Sequence, residues 1–351
     1  YIPILKKETG LFSIFRYGKK ERNSILNNGL TNFGCLSRRD TMEIKRYTPE
    51  NKILWNSFVN SSKNGTFLFL REYMEYHADR FTDHSLLVYE GNKLLAVLPA
   101  HEVGNAFYSH RGLTYGSLVL SVKNTSGEVL DIFGTIVSYL KENGFISWEY
   151  KCVPHIYHTY PAEEDLYALF RYNARLIARN ISIAIPMENR IRFSRVRRRA
   201  ISRADEEGVV IRESNNFVPF WKVLTENLQS RFGVFPVHTV EEITYLNSLF
   251  PDRIRLFDAW LGDEIIGGCT VYDTGQTLHV QYSSATPHGK EIGAIDVLYR
   301  HLIDQVYIHK KYIEFGQSTE QMGHYLNKGL IAQKEGFGGR GVVYDIYQLD
   351  I

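Results

Sequence analysis

The sequence predicts an α+β protein built from two similar domains in tandem. The chain has 351 residues, which is long enough for two domains of ordinary size. Apolar residues make up 44% of it and prolines number only 10, a composition typical of a globular protein rather than a disordered one. The order of predicted elements, helix–helix–β–β–β–helix–β–helix–β, occurs twice, and this repetition predicts the duplication.

The first 41 residues differ from the rest of the chain. They are polar, rich in Asn and Lys, and without sustained apolar periodicity, whereas a regularly patterned segment begins at Met42. We therefore interpret residues 1–41 as a weakly ordered N-terminal extension. The predicted domains are residues 42–187 and residues 188–351.

Apolar periodicity predicts the elements of the first domain. The helical spacing of Trp55 and Phe58 and the run Phe67–Tyr76 predict two helices. Two β-rich runs, Ser85–Tyr89 and Lys93–His101, flank a Gly-Asn pair, which is typical of a hairpin. The other predicted elements are a strand at Phe107–Leu120, a helix at Glu128–Asn143, a strand at Phe145–Tyr150, a helix at Glu163–Asn173 and a strand at Ala174–Pro186.

The same order of elements returns in the second domain. Two predicted helices, Phe193–Glu206 and Phe217–Phe232, precede a hairpin whose strands Ile254–Leu261 and Ile265–Asp273 are joined by a Gly-Asp turn. Apolar residues repeat along one face of Ile292–Ile308, which predicts a helix. The remaining predicted elements are strands at Thr277–Ala285, Tyr312–Gly316 and Gly341–Leu349 and a helix at His324–Lys334.

Several segments resemble motifs of the FemAB-like acyltransferases, which have a GNAT fold. Glu314–Glu320 is similar to the family's DFG-x-S segment with Glu for Asp, and Gln333–Gly339 is similar to its FK-x-x-(W/F)-G ending with Gln for Phe. Ser230–His238 resembles its R-x-G-x-P-x-H link, with one extra residue before the proline. Tyr108–Gly116 and Pro154–Asp165 resemble a narrower bacterial group often found with surface-polysaccharide genes.

The resemblance covers residues 42–351 and implies tandem GNAT-like domains, each a splayed mixed sheet with flanking helices. It also implies an enzyme that transfers an acyl or aminoacyl group to an amine of a cell-envelope or surface-polysaccharide precursor. The acceptor is then a small molecule or a lipid-linked glycan or peptide. No cofactor is expected to be tightly bound, because the donor, acyl-CoA or aminoacyl-tRNA, is a co-substrate. Two alternatives stay open: a non-catalytic module that binds RNA or an anionic glycan, and a conventional acetyl-CoA-dependent N-acetyltransferase.

The loop that binds the donor phosphates in acetyl-CoA-dependent GNAT proteins has the pattern (R/Q)-x-x-G-x-(G/A). The equivalent segment here has His288 at the Arg/Gln position and Glu291 at the first Gly position. Backbone N–H groups in such a loop bind phosphate, and a carboxylate within it repels phosphate. These residues favour a donor other than acetyl-CoA, although Gly289 and Gly293 could equally serve only to shape a turn.

Seven arginines and no acid occur within Arg190–Arg203. On a helix, Arg192, Arg195, Arg199 and Arg203 share one face. We predict that these four residues bind phosphates of a tRNA acceptor arm, a nucleotide-sugar or an anionic lipid-linked substrate. The alternative is a solvated helix that is neutralised by the three acids following it.

Acylation of an amine needs a base for the amine and stabilisation of the oxyanion, and the leaving group also takes up a proton. We predict that Glu314 is the base, that Lys334 stabilises the acyl oxygen, and that Tyr282 is the acid. The alternatives are that Glu314 only caps a loop and that Lys334 is a surface residue of its helix. Ser318 and Thr319 are predicted to orient the donor. Further predicted substrate-binding residues are His110, Arg111, His155, Tyr157 and His158, for which ordinary loop packing is the alternative, and Arg231 and His238 of the R-x-G-x-P-x-H-like link.

Composition disfavours several other classes of function. The formal net charge is only +2, so no field of one sign surrounds the whole protein. The three cysteines are too far apart for a CxxC motif, and His155 and His158 lack a convincing third ligand, so we expect no metal. No apolar run approaches the roughly 20 residues that cross a bilayer, and no secretion signal is apparent. We therefore expect a cytoplasmic protein whose membrane contact, if any, is peripheral.

Overall fold

The computed structural model describes residues 42–351, except for the side chain of Phe232, so the predicted extension at residues 1–41 lies outside the described residues. The described chain contains helices and mixed sheets, which confirms the α+β class. The first half contains helices α1 (Lys52–Ser61), α2 (Arg71–Glu75), α3 (Ser126–Glu142) and α4 (Glu164–Arg171). Its strands are β1 (Met42–Arg46), β2 (Thr82–Asp83), β3 (Leu86–Glu90), β4 (Lys93–Leu98), β5 (His101–Val103), β6 (Ala106–Tyr108), β7 (Val119–Leu120), β8 (Ser147–Lys151) and β9 (Arg175–Pro186).

The second half repeats the mixture of helices and strands. Its helices are α5 (Arg195–Glu206), α6 (Phe217–Phe232), α7 (Val240–Leu249), α8 (Pro287–Ile292), α9 (Ala294–His301) and α10 (Lys328–Glu335). Its strands are β10 (Val210–Ser214), β11 (Ile254–Leu261), β12 (Glu264–Asp273), β13 (Thr277–Ala285), β14 (Tyr312–Gln317), β15 (Thr319–Glu320), β16 (Tyr325–Leu326) and β17 (Arg340–Asp350). The sequence analysis missed two helices, α7 and α8, and the strands β1, β2, β10, β15 and β16.

One large sheet joins the two halves. Its eleven strands lie in the order β10-β11-β12-β13-β14-β9-β17-β8-β6-β5-β2, while β1, β3, β4 and β7 form a separate sheet of four. Strand β9 of the first half pairs with β14 and β17 of the second, and β17 in turn pairs with β8 of the first. The two halves therefore interlock through their last strands. The domain boundary between residues 187 and 188 stays a prediction, but the sheet is continuous across it.

Three predicted elements are interrupted in the structure. The run Phe67–Tyr76 is a 3-10 turn followed by the short helix α2, because Leu70 between them is extended. The predicted strand Phe107–Leu120 is divided into β6 and β7, which belong to different sheets. The predicted helix Ile292–Ile308 is broken at Gly293, whose φ of 94° ends α8 before α9 begins.

Helix α10 begins later than predicted. Residues 319–326 form the small β15–β16 hairpin, and Asn327 then caps α10 by accepting a hydrogen bond from the Leu330 N–H at 3.1 Å. The predicted helix His324–Lys334 was therefore wrong at its first turn and right from Lys328 onward.

Both halves bury helices against sheet. Helix α3 starts with a capping box of Thr125 and Glu128, and its predicted apolar face is buried, with Phe133 stacked on Trp148 at 4.8 Å between ring centroids. In the second half, α9 buries Leu298 beside strands β11 to β13. Each such fully buried side chain contributes about 1.5–3 kcal/mol by leaving water.

Strands β13 and β14 separate part-way along their length. They pair in parallel only over Thr277–His279 and Tyr312–Glu314, whereas β14 remains paired with β9 as far as Gln317, opposite Ser182. Beyond this point β13 contains a bulge near Gln281, which the pairing with β12 skips. The splay between these two strands is the structural feature that positions the candidate site. Among residues 42–351, no helix is long and apolar enough to cross a bilayer.

Candidate active site

A buried carboxylate lies at the base of the splay. Glu314 is fully buried, and its Oε1 accepts a hydrogen bond from the Gly316 N–H at 2.8 Å and contacts the Ser182 hydroxyl. Its Oε2 accepts one from the Tyr157 hydroxyl at 3.0 Å and contacts His279 Nδ1. Both carboxylate oxygens are therefore engaged by donors from four parts of the chain.

The surroundings of Glu314 favour its ionised form. Burial alone raises the pKa of the carboxyl, but the charge and hydrogen bond of His279, the Ser182 hydroxyl and the charge of Lys334 together hold the pKa below its ordinary value. Glu314 is thus a carboxylate at neutral pH. The other ring nitrogen of His279, Nε2, lies 3.0 Å from Gln281 Oε1.

Tyr157 belongs to the first half of the chain and contributes to this site. The residue was predicted to bind substrate, but its ring is buried and its hydroxyl also bonds to that of Tyr344, at 2.8 Å. The short turn that bears Tyr157 is fixed to the second half, because the Ile156 carbonyl accepts hydrogen bonds from Gln276 Nε2 at 3.0 Å and from the Thr277 hydroxyl. The Glu314 network therefore spans both halves.

Lys334 lies close to the same site on α10. Its ammonium group is 5% exposed and donates to the Gly316 and Gln317 carbonyls and to Ser318 Oγ, at 2.7, 3.0 and 2.9 Å. Burial lowers the pKa of Lys334 to about 8, although the charge of Glu314 acts in the opposite direction. Because Ser318 accepts from Lys334, the hydroxyl hydrogen of Ser318 is left to donate.

Thr319 is held apart from this group. Its hydroxyl is 2.9 Å from Asn180 Oδ1 and 3.3 Å from the Ile181 N–H, so it secures the segment after β14 to β9. The structure thus brings Glu314, Lys334 and Ser318 together, whereas the Thr319 hydroxyl is engaged by β9. The predicted roles of these residues in catalysis and binding stay predictions.

Tyr282 and His238 form a second buried pair. The Tyr282 hydroxyl is 2.6 Å from His238 Nδ1 and 3.3 Å from the His238 backbone N–H. Burial raises the pKa of Tyr282, so the residue is a phenol at neutral pH. The bulge in β13 turns Tyr282 toward the side of the sheet on which His279 lies, since both contact the aromatic cluster that contains Tyr272.

The arginine segment is mostly exposed, but the prediction that its four arginines share one helix face was wrong for Arg192, because α5 begins only at Arg195, after the cap residue Ser194. Arg192, Arg195 and Arg199 are exposed and make no ion pair with any described residue. Arg203 instead donates to the Glu291 carbonyl at 2.5 Å, and the neighbouring Arg197 is paired with Asp296 at 2.8 Å. Three of the four predicted phosphate-binding residues are therefore free to meet an anion, and the fourth is bonded to the backbone of α8.

The donor loop is folded into α8. Thr286 caps this helix and accepts from the Gly289 N–H at 3.0 Å. A Cβ at Gly289 would lie 2.1 Å from the Ile266 carbonyl oxygen, and one at Gly293 would lie 2.6 Å from the Ala200 carbonyl oxygen. Both glycines are therefore required by close backbone packing, and α5 lies directly against the second of them.

The first-half candidates lie in two places. Arg111 makes a two-point ion pair with Glu149, at 3.1 and 2.8 Å, and stacks on the Tyr108 ring. His110 is buried in a cluster of aromatic and histidine rings with His77, and its Nδ1 has no hydrogen-bond partner among the described residues. Neither residue contacts the Glu314 network.

The remaining candidates are divided between a pocket and the surface. His155 and His158 line an open pocket of about 380 Å³ between the two halves, together with Tyr160 and Tyr312. Arg231 is exposed, and its charge adds to the burial that lowers the pKa of Lys290. No group of three or more His, Cys, Asp or Glu residues in the described part of the chain is arranged to hold a metal ion.

The sequence analysis missed three members of the site: His279, Ser182 and Tyr344. In β13, polar His279 alternates with the buried apolar residues Leu278 and Val280, and this period of two was a usable signal. The sequence around Ser182 and Tyr344 gives no such signal, because these residues lie near Glu314 only through the pairing of strands β9 and β17.

Comparisons with known proteins identify the fold. Residues 189–321 match the family model of the acetyltransferase (GNAT) domain. The solved structure of FemX has a TM-score of 0.63 at 11% identity and covers 88% of this chain and 97% of its own. The structure of L-PGS from Bacillus licheniformis has a TM-score of 0.56 at 10% identity and covers 86% of this chain and 92% of its own. The sequence matches no curated protein.

A third similar structure is the C-terminal domain of a candidate lysylphosphatidylglycerol synthetase from Agrobacterium fabrum. It has a TM-score of 0.55 at 10% identity and covers 86% of this chain and 92% of its own. These findings confirm the predicted tandem GNAT fold. The family match places an acetyltransferase (GNAT) domain in the second half of the chain.

Proposed function

We propose that the protein is an N-acyltransferase that passes an acyl or aminoacyl group to an amine of a cell-envelope or surface-polysaccharide precursor. The observation that carries this proposal is the position of the His279–Glu314 pair at the base of the splay between β13 and β14. A splay of this kind admits the acyl group of a donor between two strands, and a base at its end can receive the proton of an incoming amine.

The proposed donor is aminoacyl-tRNA, used as a co-substrate and not tightly bound. Two observations support it over acyl-CoA. The Gly289 N–H is already bonded to Thr286, and the backbone of α5 lies against Gly293, so the loop offers little space for a pyrophosphate. Beside that loop, the unpaired arginines of α5 present an exposed cationic surface that suits an RNA backbone.

The proposed chemistry begins with attack by the neutral amine nitrogen on the ester carbon of the donor. A C–N bond forms, and the amine proton moves to the ionised carboxylate of Glu314. The Ser318 hydroxyl, polarised by Lys334, donates to the developing oxyanion. The C–O bond to the tRNA ribose then breaks, and Tyr282, which is held as a phenol, supplies the proton for the leaving oxygen.

The proposed acceptor is the amine of a small, peptide or lipid-linked glycan precursor of the envelope. The similar structure from Agrobacterium fabrum bears the name of a lysylphosphatidylglycerol synthetase, and this name joins an amino acid to a lipid. Both classes of donor are cytoplasmic metabolites, so we place the reaction on the cytoplasmic side, with peripheral membrane contact at most.

Radiolabel transfer tests the donor and the bond together. The protein is incubated with envelope precursors and either mixed ¹⁴C-aminoacyl-tRNA or ¹⁴C-acetyl-CoA, and the label is followed into a product that resists mild alkali, since amides survive it and esters do not. We expect transfer from aminoacyl-tRNA that is lost in Glu314→Gln. Transfer from acetyl-CoA alone would overturn the donor assignment, and absence of transfer from both would overturn the function.

A further inference from the structure

The pocket between the two halves is separate from the splay. His155, Tyr160 and Glu163 of the first half face Gln276, Lys311 and Tyr312 of the second across about 380 Å³. Gln276 and Tyr312 lie where β13 and β14 begin, whereas the splay opens beyond the point at which these strands stop pairing. A donor held in the splay therefore leaves this pocket free.

The pocket contains polar side chains without protein partners. The Glu163 carboxylate, the Lys311 ammonium and the Tyr160 and Tyr312 hydroxyls form no hydrogen bond or ion pair with any residue of the described chain. Opposite charges thus line one pocket without neutralising each other. Tyr160 is 64% exposed, so its ring is available as a stacking surface.

The backbone around these side chains is well fixed. Gln276 Nε2 donates to the carbonyls of Ile156 and His158, and the Thr159 N–H donates to the Lys63 carbonyl at 2.8 Å. Lys63 is buried and paired with Glu164 at 2.6 Å. Free polar groups on a preformed frame are typical of a ligand site, because little conformational entropy is lost on binding.

We propose that this pocket binds an amino sugar and serves as the recognition subsite for the glycan part of the acceptor. Aromatic rings suit the apolar face of a pyranose, while the mixed donors and acceptors suit its hydroxyl groups. Glu163 pairs with the ammonium group, and Lys311 donates to a hydroxyl or an acidic substituent. A nucleotide fits less well, because a carboxylate stands beside the single cation.

This subsite deepens the proposed function and rests on it for its place in the reaction. A single turn of chain connects the two regions, since His155 lines the pocket while Tyr157, two residues later, bonds to Glu314. A sugar in the pocket is therefore held beside the residues that position the catalytic carboxylate, although it does not itself touch Glu314.

Binding without any donor tests the subsite independently of acyl transfer. Saturation-transfer NMR titrations with glucosamine and with glucose, its counterpart without the amine, are made on the full chain. We expect both to bind, glucosamine more tightly by about two- to fivefold, as a solvent-exposed ion pair allows. Glu163→Gln should abolish that preference, and Tyr160→Ala should weaken both sugars, whereas Tyr167→Ala, on α4 outside the pocket, should change neither.

Equal affinity for the two sugars in the wild type, or unchanged binding in Tyr160→Ala, would overturn the proposal. Such a result with acyl transfer intact would refute the subsite alone. Normal sugar binding in a chain that transfers no acyl group would instead retain the subsite and refute the reaction.

Discussion

His279 and Glu314 face each other at the last paired position of β13 and β14, and imidazole Nδ1 contacts carboxylate Oε2. Beyond this position β13 and β14 are no longer paired with each other. The pair therefore combines two properties that rarely coincide: it is buried and fully hydrogen-bonded, yet it lies beside the splay that can admit a substrate.

Glu314→Gln should lower turnover about 100-fold, because the amide cannot accept the proton of the incoming amine. The unfolding free energy should also fall by about 1–3 kcal/mol, since one amide NH₂ would face groups that are themselves donors. His279→Gln should cost a similar amount in turnover, and the double variant should be no slower than either single one if the two residues act as a unit. Glu264→Gln, at an exposed carboxylate, is the control. Additive losses of turnover would show that the two residues act separately.

The sequence predicted the site residues that lie within short sequence motifs. Glu314, Lys334 and Ser318 lie in two short motifs near the end of the chain, and the structure brings them together. Tyr157 and Tyr344 are 187 residues apart, and they meet only because β9 and β17 are exchanged between the halves. Register across non-adjacent strands is set by the whole sheet, so a local pattern could not reveal it.

Deprotonation of Lys334 should lower activity above about pH 8, because burial lowers the pKa of this residue to about 8. In the wild type, turnover should decline with the fraction of Lys334 that is deprotonated. Lys334→Met should turn over about 100- to 1000-fold more slowly, and its residual rate should not show this decline. The variant should also melt at a lower temperature, since three acceptors lose their donor. Turnover of the wild type that stays constant to pH 9.5 would contradict the assignment.

Acid should destabilise the protein through its buried histidines. Burial, followed by nearby cations, lowers the pKa of His77 and His101 to about 4, and burial lowers that of His238 to about 3. Between about pH 6.5 and pH 4 the unfolded chain binds more protons at these sites than the folded one, so the unfolding free energy falls as pH falls. One such group contributes at most about 3 kcal/mol.

His77→Phe should reduce this acid sensitivity, because it removes one of the buried rings that take up a proton on unfolding. The substitution breaks no hydrogen bond, since neither ring nitrogen of His77 has a partner among the described residues. The measurement is urea unfolding at pH 7 and pH 4.5, with His309→Phe, at an exposed histidine, as the control. The difference in unfolding free energy between the two pH values should shrink in His77→Phe and stay unchanged in His309→Phe. An unchanged difference in His77→Phe would exclude this residue as a source of the acid sensitivity.

Removing the charges of Arg195 and Arg199 should weaken tRNA binding without unfolding the protein. Both side chains are exposed and unpaired within the described residues, and α5 is held instead by buried Ile201 and Ala204 and by the ion pair of Arg197 with Asp296. Each phosphate contact releases counterions, so the plot of log affinity against log salt concentration should become less steep by roughly 0.7–0.9 for each contact removed. Filter binding of tRNA between 50 and 200 mM salt gives this slope.

The double variant Arg195→Gln/Arg199→Gln should therefore flatten the slope by roughly 1.5. The exposed pair Arg171→Gln/Arg175→Gln of the first half is the control and should leave the slope unchanged. Equal slopes in the two double variants would mean that α5 is a solvated surface and that the donor is bound elsewhere.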